Sequence, residues 1–224
     1  VALQSVQFDG NNALSAATLQ ACFGTDVMGK TYDLAGLQDV ADQVSACYRV
    51  AGFPFARAFV PAQNMQGGAL RLQIVEGRYG QIRITGDDKA QATAPYLESL
   101  KSGEVITSAP LERATLLLSD LPGYWMQPIM QPGQTEGTGD LLLELKPYRP
   151  VTGQITADNM GSRFTGTYRM RLDLQLNSPL MVGDQLSFNG IQSNGDMNFG
   201  MLGYALPLGG DGLRLSTSAS KTSY

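Results

Sequence analysis

Histidine is absent from the 224 residues, and only two cysteines, Cys22 and Cys47, are present. Because histidine is the commonest general base and the commonest metal ligand, its absence removes most familiar catalytic and metal sites. Two cysteines alone do not make a zinc site. The sequence also lacks a P-loop, a G-x-S-x-G motif and an H-E-x-x-H motif. We therefore predict that the protein is not an enzyme, and that it has no catalytic residue, no metal and no cofactor.

Charge is also scarce, since charged residues make up 16% of the chain, below the usual quarter or so. The net charge of −4 gives no reason to expect a nucleic-acid partner. No apolar stretch approaches the roughly 20 residues of a transmembrane helix. We interpret Val1 as the start of a mature or trimmed chain, because no signal peptide is visible. The carboxylate pair Asp87-Asp88 lies in a "GDDK" turn, which we expect to be solvated.

What the chain does contain is a repeated pattern. The pattern of residues 1–78 predicts a strand, two helices and two further strands, in that order, with Ser15 as the N-cap of the first helix. Apolar residues at spacings of three and four mark the second helix. Residues 79–148 repeat that order, with Thr93 as an N-cap and a second helix from Ser108. The sequence therefore predicts two tandem α+β units with a period of about 70 residues.

From residue 149 onward, helical periodicity gives way to alternation of apolar and polar residues. Because side chains alternate along a strand, "TYRMRLDLQLN" at 167–177 predicts a strand with two different faces. The apolar face carries Tyr168, Met170, Leu172, Leu174 and Leu176, and the polar face carries Arg169, Arg171 and Asp173. The strands are long enough to cross a bilayer when tilted. This pattern alone fits both a truncated membrane β-barrel and a soluble sandwich.

Three stretches of the sequence resemble one family. They are "YRVAGFPFARAFVPAQNMQGGALRLQIVEGRYGQIRITG" (48–86), "LERATLLLSDLPG" (111–123) and "ADNMGSRFTGTYR" (157–169). Together they are similar to the TpsB transporters of two-partner secretion, the FhaC/ShlB-like group. The resemblance implies a fragment with POTRA domains at 1–78 and 79–148, followed by the first strands of a transmembrane β-barrel at 149–224.

The resemblance also implies a location and partners. The chain would lie in the bacterial outer membrane, with its POTRA domains in the periplasm. These domains would capture a large TpsA-type exoprotein through its N-terminal secretion domain, for export through the barrel. The apolar face of the 167–177 strand would then contact outer-membrane lipid, and its polar face would line a wet lumen.

By analogy with the family, the second strand of each POTRA unit lies at the edge of its sheet, where an extended client can add itself as a further strand. The predicted binding residues are Phe55, Arg57, Phe59, Val60, Trp125, Met126 and Ile129. Phe59, Trp125 and Met126 would supply exposed apolar contacts. The plainer alternative is that these side chains pack the sheets against their helices.

In an oxidising periplasm, Cys22 and Cys47 are expected to form a disulfide between the two helices of the first unit. The alternative is a pair of buried thiols.

Two other functions share parts of this pattern. An outer-membrane assembly factor that inserts other barrels has the same POTRA-plus-barrel plan, and a soluble periplasmic scaffold would fold residues 149–224 as a sandwich. If the barrel strands are present without the rest, their open edges are expected to cause self-association.

Overall fold

The computed structural model describes residues 2–24 and 27–224, without the side chain of residue 66. No helix within these ranges is long and apolar enough to cross a membrane. Contacts group the chain into two compact units. One extends to Ile82 and includes Leu100–Glu112 and Met130–Leu141, and the other contains Arg83–Ser99, Arg113–Ile129 and Leu142–Tyr224. The limits 1–78, 79–148 and 149–224 remain a prediction.

The first repeat has the predicted β-α-α-β-β order. Its elements are β1 (Ser5–Asp9), α1 (Ala16–Phe23), α2 (Leu34–Val50), β2 (Arg57–Phe59) and β3 (Ala69–Val75). Strand β3 is central, parallel to β1 and antiparallel to β2. Strand β2 is therefore at the edge, as the resemblance to the family implied, but it is only three residues long.

Local sequence accounts for the helices of this repeat. Ser15 is the N-cap of α1, and its side chain accepts a hydrogen bond from the amide of Thr18, which satisfies one of the unpaired amides at the helix start. Asp33 caps α2 through the amide of Gly36 in the same way. The inner face of α2 packs onto the sheet through buried residues, namely Leu37, Val40, Ala41, Val44 and Tyr48.

The second repeat contains β4 (Arg78–Thr85), a 3-10 helix (Ala90–Leu97), α3 (Ser108–Ser119), β5 (Tyr124–Pro132) and β6 (Thr138–Pro147). Strand β6 is central and β5 is at the edge. The prediction of Thr93 as an N-cap is wrong. Thr93 lies inside the 3-10 helix, fully buried, and its hydroxyl donates to the carbonyl of Ala90.

Five antiparallel strands follow, and each pairs with the next. They are β7 (Val151–Asp158), β8 (Arg169–Asn177), β9 (Gln185–Ser193), β10 (Asn198–Leu208) and β11 (Leu213–Ser223). The sheet is open, with β7 and β11 at its two edges. The predicted fold class, α+β repeats followed by antiparallel strands, is confirmed.

Candidate functional site

The outer edge of the first sheet is short and already occupied. Strand β2 has three residues, and Ala58 lies opposite Ile74 of β3. The amide of Ala58 donates to Ser45 Oγ on α2 at 2.9 Å, so it does not bond to β3. Because backbone groups of an edge strand alternate between its two sides, Ala58 supplies the outward-facing pair of β2. An added strand would have to displace Ser45 to reach this donor.

Beyond β2, a side chain closes the same edge. Pro61 lacks an amide donor, and the chain leaves the sheet there. The backbone amide of Arg71 in β3 donates to Gln63 Oε1 at 2.8 Å, and Gln63 Nε2 donates to the carbonyl of Arg71 at 2.8 Å. The Gln63 amide thus takes the place of a strand residue. The Val-Pro-x-Gln stretch therefore completes the sheet edge.

The four residues predicted to bind at this edge have different surroundings. Arg57 and Phe59 lie in β2, whereas Phe55 and Val60 lie outside it. Phe55 is 40% exposed and Phe59 is 39% exposed. Val60 instead packs against the core of the first repeat. The edge thus offers two half-exposed aromatic rings but little accessible backbone.

The outer edge of the second sheet is longer. Strand β5 has nine residues, and β6 is its only strand neighbour in the part of the chain that the structure describes. Trp125 is 47% exposed, and its ring lies 6.0 Å from Lys146 Nζ, a cation–π distance. Ile129 is half-buried. The prediction that Met126 is exposed is wrong, because Met126 alternates with Trp125 and is buried, as Tyr124 is.

A buried carboxylate that the sequence did not single out organises the first repeat. Glu76, in the "EGR" stretch, is 5% exposed. Its Oε1 accepts hydrogen bonds from the amide of Ala13 at 2.6 Å and from the hydroxyl of Tyr48 at 3.1 Å. Burial and the charge of Glu76 raise the pKa of Tyr48. The carboxylate therefore ties the β1–α1 loop to α2.

Cys22 and Cys47 form a disulfide that joins α1 to α2, with Cα atoms 6.0 Å apart. Cys22 is exposed on α1. The buried side consists of Leu19 and Phe23. Cys47 is partly buried against the core. The bridge therefore lies at the surface of the helix pair.

The five-stranded sheet has one apolar face. In register, Leu172 lies opposite Ile155 of β7, and Leu174 lies opposite Phe188 of β9. Ile155 is 71% exposed and Phe188 is 40% exposed. The residues predicted to face lipid share this side of β8 by alternation, except Tyr168, which precedes the strand: Met170, Leu172, Leu174 and Leu176. This face is an exposed apolar band.

The opposite face of the sheet carries the residues predicted to face a lumen. Arg169 Nη2 lies 2.9 Å from Asp158 Oδ1 on β7. Asp173 Oδ1 accepts a hydrogen bond from Asn189 Nδ2 at 2.6 Å, and Arg171 is exposed. Charged and amide groups on neighbouring strands therefore satisfy one another across this face.

Backbone hydrogen bonding and apolar contact are the chemistry that these surfaces offer. Within residues 2–24 and 27–224, no group of three or more histidine, cysteine, aspartate or glutamate side chains could hold a metal ion. The Asp87 carboxylate, in the turn expected to be solvated, accepts a hydrogen bond from the Tyr124 hydroxyl at 2.7 Å. Burial and this hydrogen bond raise the pKa of Tyr124.

Comparison with known proteins gives two family matches. Residues 1–77 match the POTRA domain, ShlB-type, and residues 137–224 match the haemolysin secretion/activation protein ShlB/FhaC/HecB. The outer membrane transporter CdiB of Escherichia coli O6:K15:H31 (strain 536 / UPEC) is 32% identical over 72% of this chain and 28% of its own length. The heme/hemopexin transporter protein HuxB of Haemophilus influenzae (strain 86-028NP) is 24% identical over 88% of this chain and 36% of its own length.

The solved structure of CdiB from Escherichia coli is 27% identical, with a TM-score of 0.73, over 93% of this chain and 40% of that chain. This chain spans about a third of the length of the curated relatives CdiB and HuxB. The predicted outer-membrane location, with POTRA domains in the periplasm, is confirmed. The chain belongs to the ShlB/FhaC/HecB family of haemolysin secretion/activation proteins, the TpsB transporters.

Proposed function

We propose that this chain is the client-capturing part of a two-partner secretion transporter. Its POTRA edge strands would bind an unfolded exoprotein in the periplasm by strand addition, for export through a barrel to which β7–β11 contribute. Family membership and the transporter names of CdiB and HuxB support the transport role. The partner is a large secreted exoprotein, recognised through its N-terminal secretion domain.

The observation that carries this proposal is the open outer edge of β5. An edge strand with unpaired backbone groups is a template for another strand. Pro128 removes one donor from β5 and so limits the register that a client can adopt. Backbone pairing is largely blind to sequence, which suits an unfolded client, while Trp125 adds an exposed aromatic contact.

The first sheet supports capture less well at β2. Its outward amide, on Ala58, already bonds to Ser45, and Gln63 covers the backbone of Arg71 beyond it. Exchanging these bonds for client bonds yields little net free energy, because both states are hydrogen-bonded. We therefore propose that Trp125 and Ile129 contribute to client binding more than Phe55, Arg57, Phe59 and Val60 do.

The two faces of the five-stranded sheet fit a membrane wall. The apolar band with Leu172 and Leu174 would contact outer-membrane lipid, and the side with Arg169, Arg171 and Asp173 would face a wet lumen. Alternation of apolar and polar sides is the pattern of strands in outer-membrane barrels.

A matched pair of variants tests client capture. Trp125→Ala and Phe59→Ala each remove a half-exposed aromatic ring from the second strand of a repeat. Binding would be measured between the chain in detergent micelles and the N-terminal secretion domain of a TpsA-type exoprotein, kept unfolded in mild urea. Trp125→Ala is expected to weaken binding roughly tenfold or more, as for a central aromatic contact. Phe59→Ala is expected to change it less than about twofold.

Equal losses in the two variants would contradict the assignment of the client edge to β5. Binding to unfolded barrel proteins, with none to the secretion domain, would contradict the transporter role and favour an assembly factor. A scaffold role predicts a monomer that is stable without detergent.

A further inference from the structure

Leu121-Pro122-Gly123, the stretch that ends helix α3, does more than stop the helix. All three residues meet the last residue of β8 or the connection between strands β8 and β9. The Pro122 carbonyl accepts a hydrogen bond from Ser178 Oγ at 2.6 Å. Gly123 has φ +82, and a Cβ built on it would lie 2.9 Å from the carbonyl oxygen of Asn177. The side chain of Leu121 is 4% exposed and lies close to Gly183, because a Cβ built on Gly183 would be 2.7 Å from Leu121 Cδ2.

The β8–β9 turn, residues 178–184, has a defined internal structure. The amide of Ser178 donates to the carbonyl of Asp184 at 2.8 Å, and the amide of Gly183 donates to Ser178 Oγ at 2.8 Å. The carboxylate of Asp184 is fully buried, and its Oδ2 accepts from the hydroxyl of Tyr204 at 2.7 Å. The Ser178 hydroxyl therefore uses its donor for Pro122 and accepts within its own turn.

Further contacts surround this meeting point. Lys89 Nζ donates to the carbonyl of Ser178 at 3.2 Å, and the amide of Tyr148 donates to the carbonyl of Gly123 at 2.8 Å. At the β10–β11 turn, on the same end of the sheet, Arg113 Nη2 of α3 lies 2.9 Å from Asp211 Oδ1. Two turns at one end of the sheet thus contact the segment that runs from α3 to the start of β5.

We propose that Leu121–Gly123 is a docking socket for the turn 178–184, and that it positions the start of β5 against the end of the strand sheet. Strand β5 begins at Tyr124, the residue after Gly123. The socket therefore sets where a client strand added to β5 lies relative to β7–β11, the strands that would contribute to the export barrel. This consequence rests on the proposed function, but the docking itself does not require a client.

The side chain at position 183 gives a sharp test. Gly183 and Gly209 both have positive φ, +83 and +69, so alanine strains the backbone at either position. Only at Gly183 would the added Cβ collide with the socket, because nothing lies within 4 Å of a Cβ on Gly209. Gly209→Ala is therefore a control for backbone strain without loss of docking.

The readout is the distance between two nitroxide labels, measured by double electron–electron resonance on the whole chain in detergent micelles. Labels would be attached at Leu116→Cys on α3 and at Leu180→Cys in the turn, which are 65% and 74% exposed. The native cysteines are bonded to each other and do not react. The parent and Gly209→Ala are expected to give one narrow distance, and Gly183→Ala a broad distribution.

Rescue separates docking from ordinary destabilisation. Adding Leu121→Ala to Gly183→Ala removes the Cδ2 atom that the new Cβ meets and is expected to narrow the distribution again. If Gly183→Ala does not fold, Ser178→Ala, which removes the hydrogen bond to Pro122 together with the one from the amide of Gly183, is expected to broaden the distribution. A narrow distribution in Ser178→Ala, or equal distributions in Gly183→Ala and Gly209→Ala, would overturn the socket. Because no client is added, failure here is distinct from failure of client binding.

Discussion

Tyr48→Phe and Tyr79→Phe remove the same hydroxyl from two buried tyrosines, and we expect different results. The Tyr48 hydroxyl donates to Glu76 Oε1 at 3.1 Å, so its loss leaves a buried carboxylate with one partner fewer. A hydrogen bond to a charged group contributes about 1.5–3 kcal/mol, and the free energy of unfolding should fall by that amount. The Tyr79 hydroxyl has no partner in the described residues. Tyr79→Phe should therefore leave stability unchanged or raise it by up to about 1 kcal/mol.

Alkaline pH provides a second test of Tyr79→Phe against the parent protein. Burial raises the pKa of Tyr79 from 10.0 to about 12. The stabilisation linked to this shift is fully present below pH 10 and is lost as the pH rises to about 12, because the unfolded chain loses its proton first. A pKa shift of two units corresponds to a loss of about 3 kcal/mol in the free energy of unfolding across the whole window. Tyr79→Phe removes this sensitivity and should become more stable than the parent within that window.

Urea unfolding of the chain in detergent micelles, followed by helical circular dichroism, measures both effects. Every helix in the described residues lies in the two repeats, so the signal reports on them. Measurements near neutral pH and at about pH 11 would include Tyr224→Phe, an exposed control. Equal losses in Tyr48→Phe and Tyr79→Phe near neutral pH, or no gain for Tyr79→Phe at high pH, would refute the reasoning.

Three shorter predictions concern the disulfide, the first edge and the open sheet. Replacing Cys22 and Cys47 by serine opens a loop of sequence separation 25 and should lower the free energy of unfolding by about 3.5 kcal/mol on the chain-entropy model; an unchanged urea midpoint would contradict this. Ser45→Ala leaves the amide of Ala58 without its partner and should cost about 1–2 kcal/mol in the same assay, whereas a gain would contradict the closed edge. Without detergent, the edges β7 and β11 should cause self-association in sedimentation velocity; a monodisperse monomer would contradict it.

Element order was predictable because it follows from periodicity, whereas the edge position of the second strand came from the resemblance to the TpsB family. Helical spacing in α2 and alternation in β8 each place the apolar residues on one face, and that segregation leaves few arrangements. The N-cap at Ser15 was equally local, since a hydroxyl before the first helical residue bonds within three positions. Thr93 was predicted to be a cap, but its hydroxyl donates to the carbonyl of Ala90 inside a 3-10 helix. Whether a threonine hydroxyl caps a helix or bonds within one depends here on burial, which the sequence did not show.

The details of the edges were not predictable, because they depend on contacts between distant residues. Ser45 reaches Ala58 across 13 positions, and Glu76 reaches Ala13 across 63. One signal was available, since Ser45 is a polar residue on the apolar face of α2 next to Val44. A polar side chain at such a position needs a partner when buried.

The most direct test of client capture at β5 is photo-crosslinking from matched positions on the two edge strands. A photoreactive amino acid would replace Gln127 on β5 or Arg57 on β2, both of which are exposed. The chain in detergent micelles would be irradiated with the unfolded secretion domain of its exoprotein. We expect a saturable crosslink from position 127 and little from position 57. A crosslink from position 57 alone, or none from position 127 at saturating client, would contradict strand addition at β5.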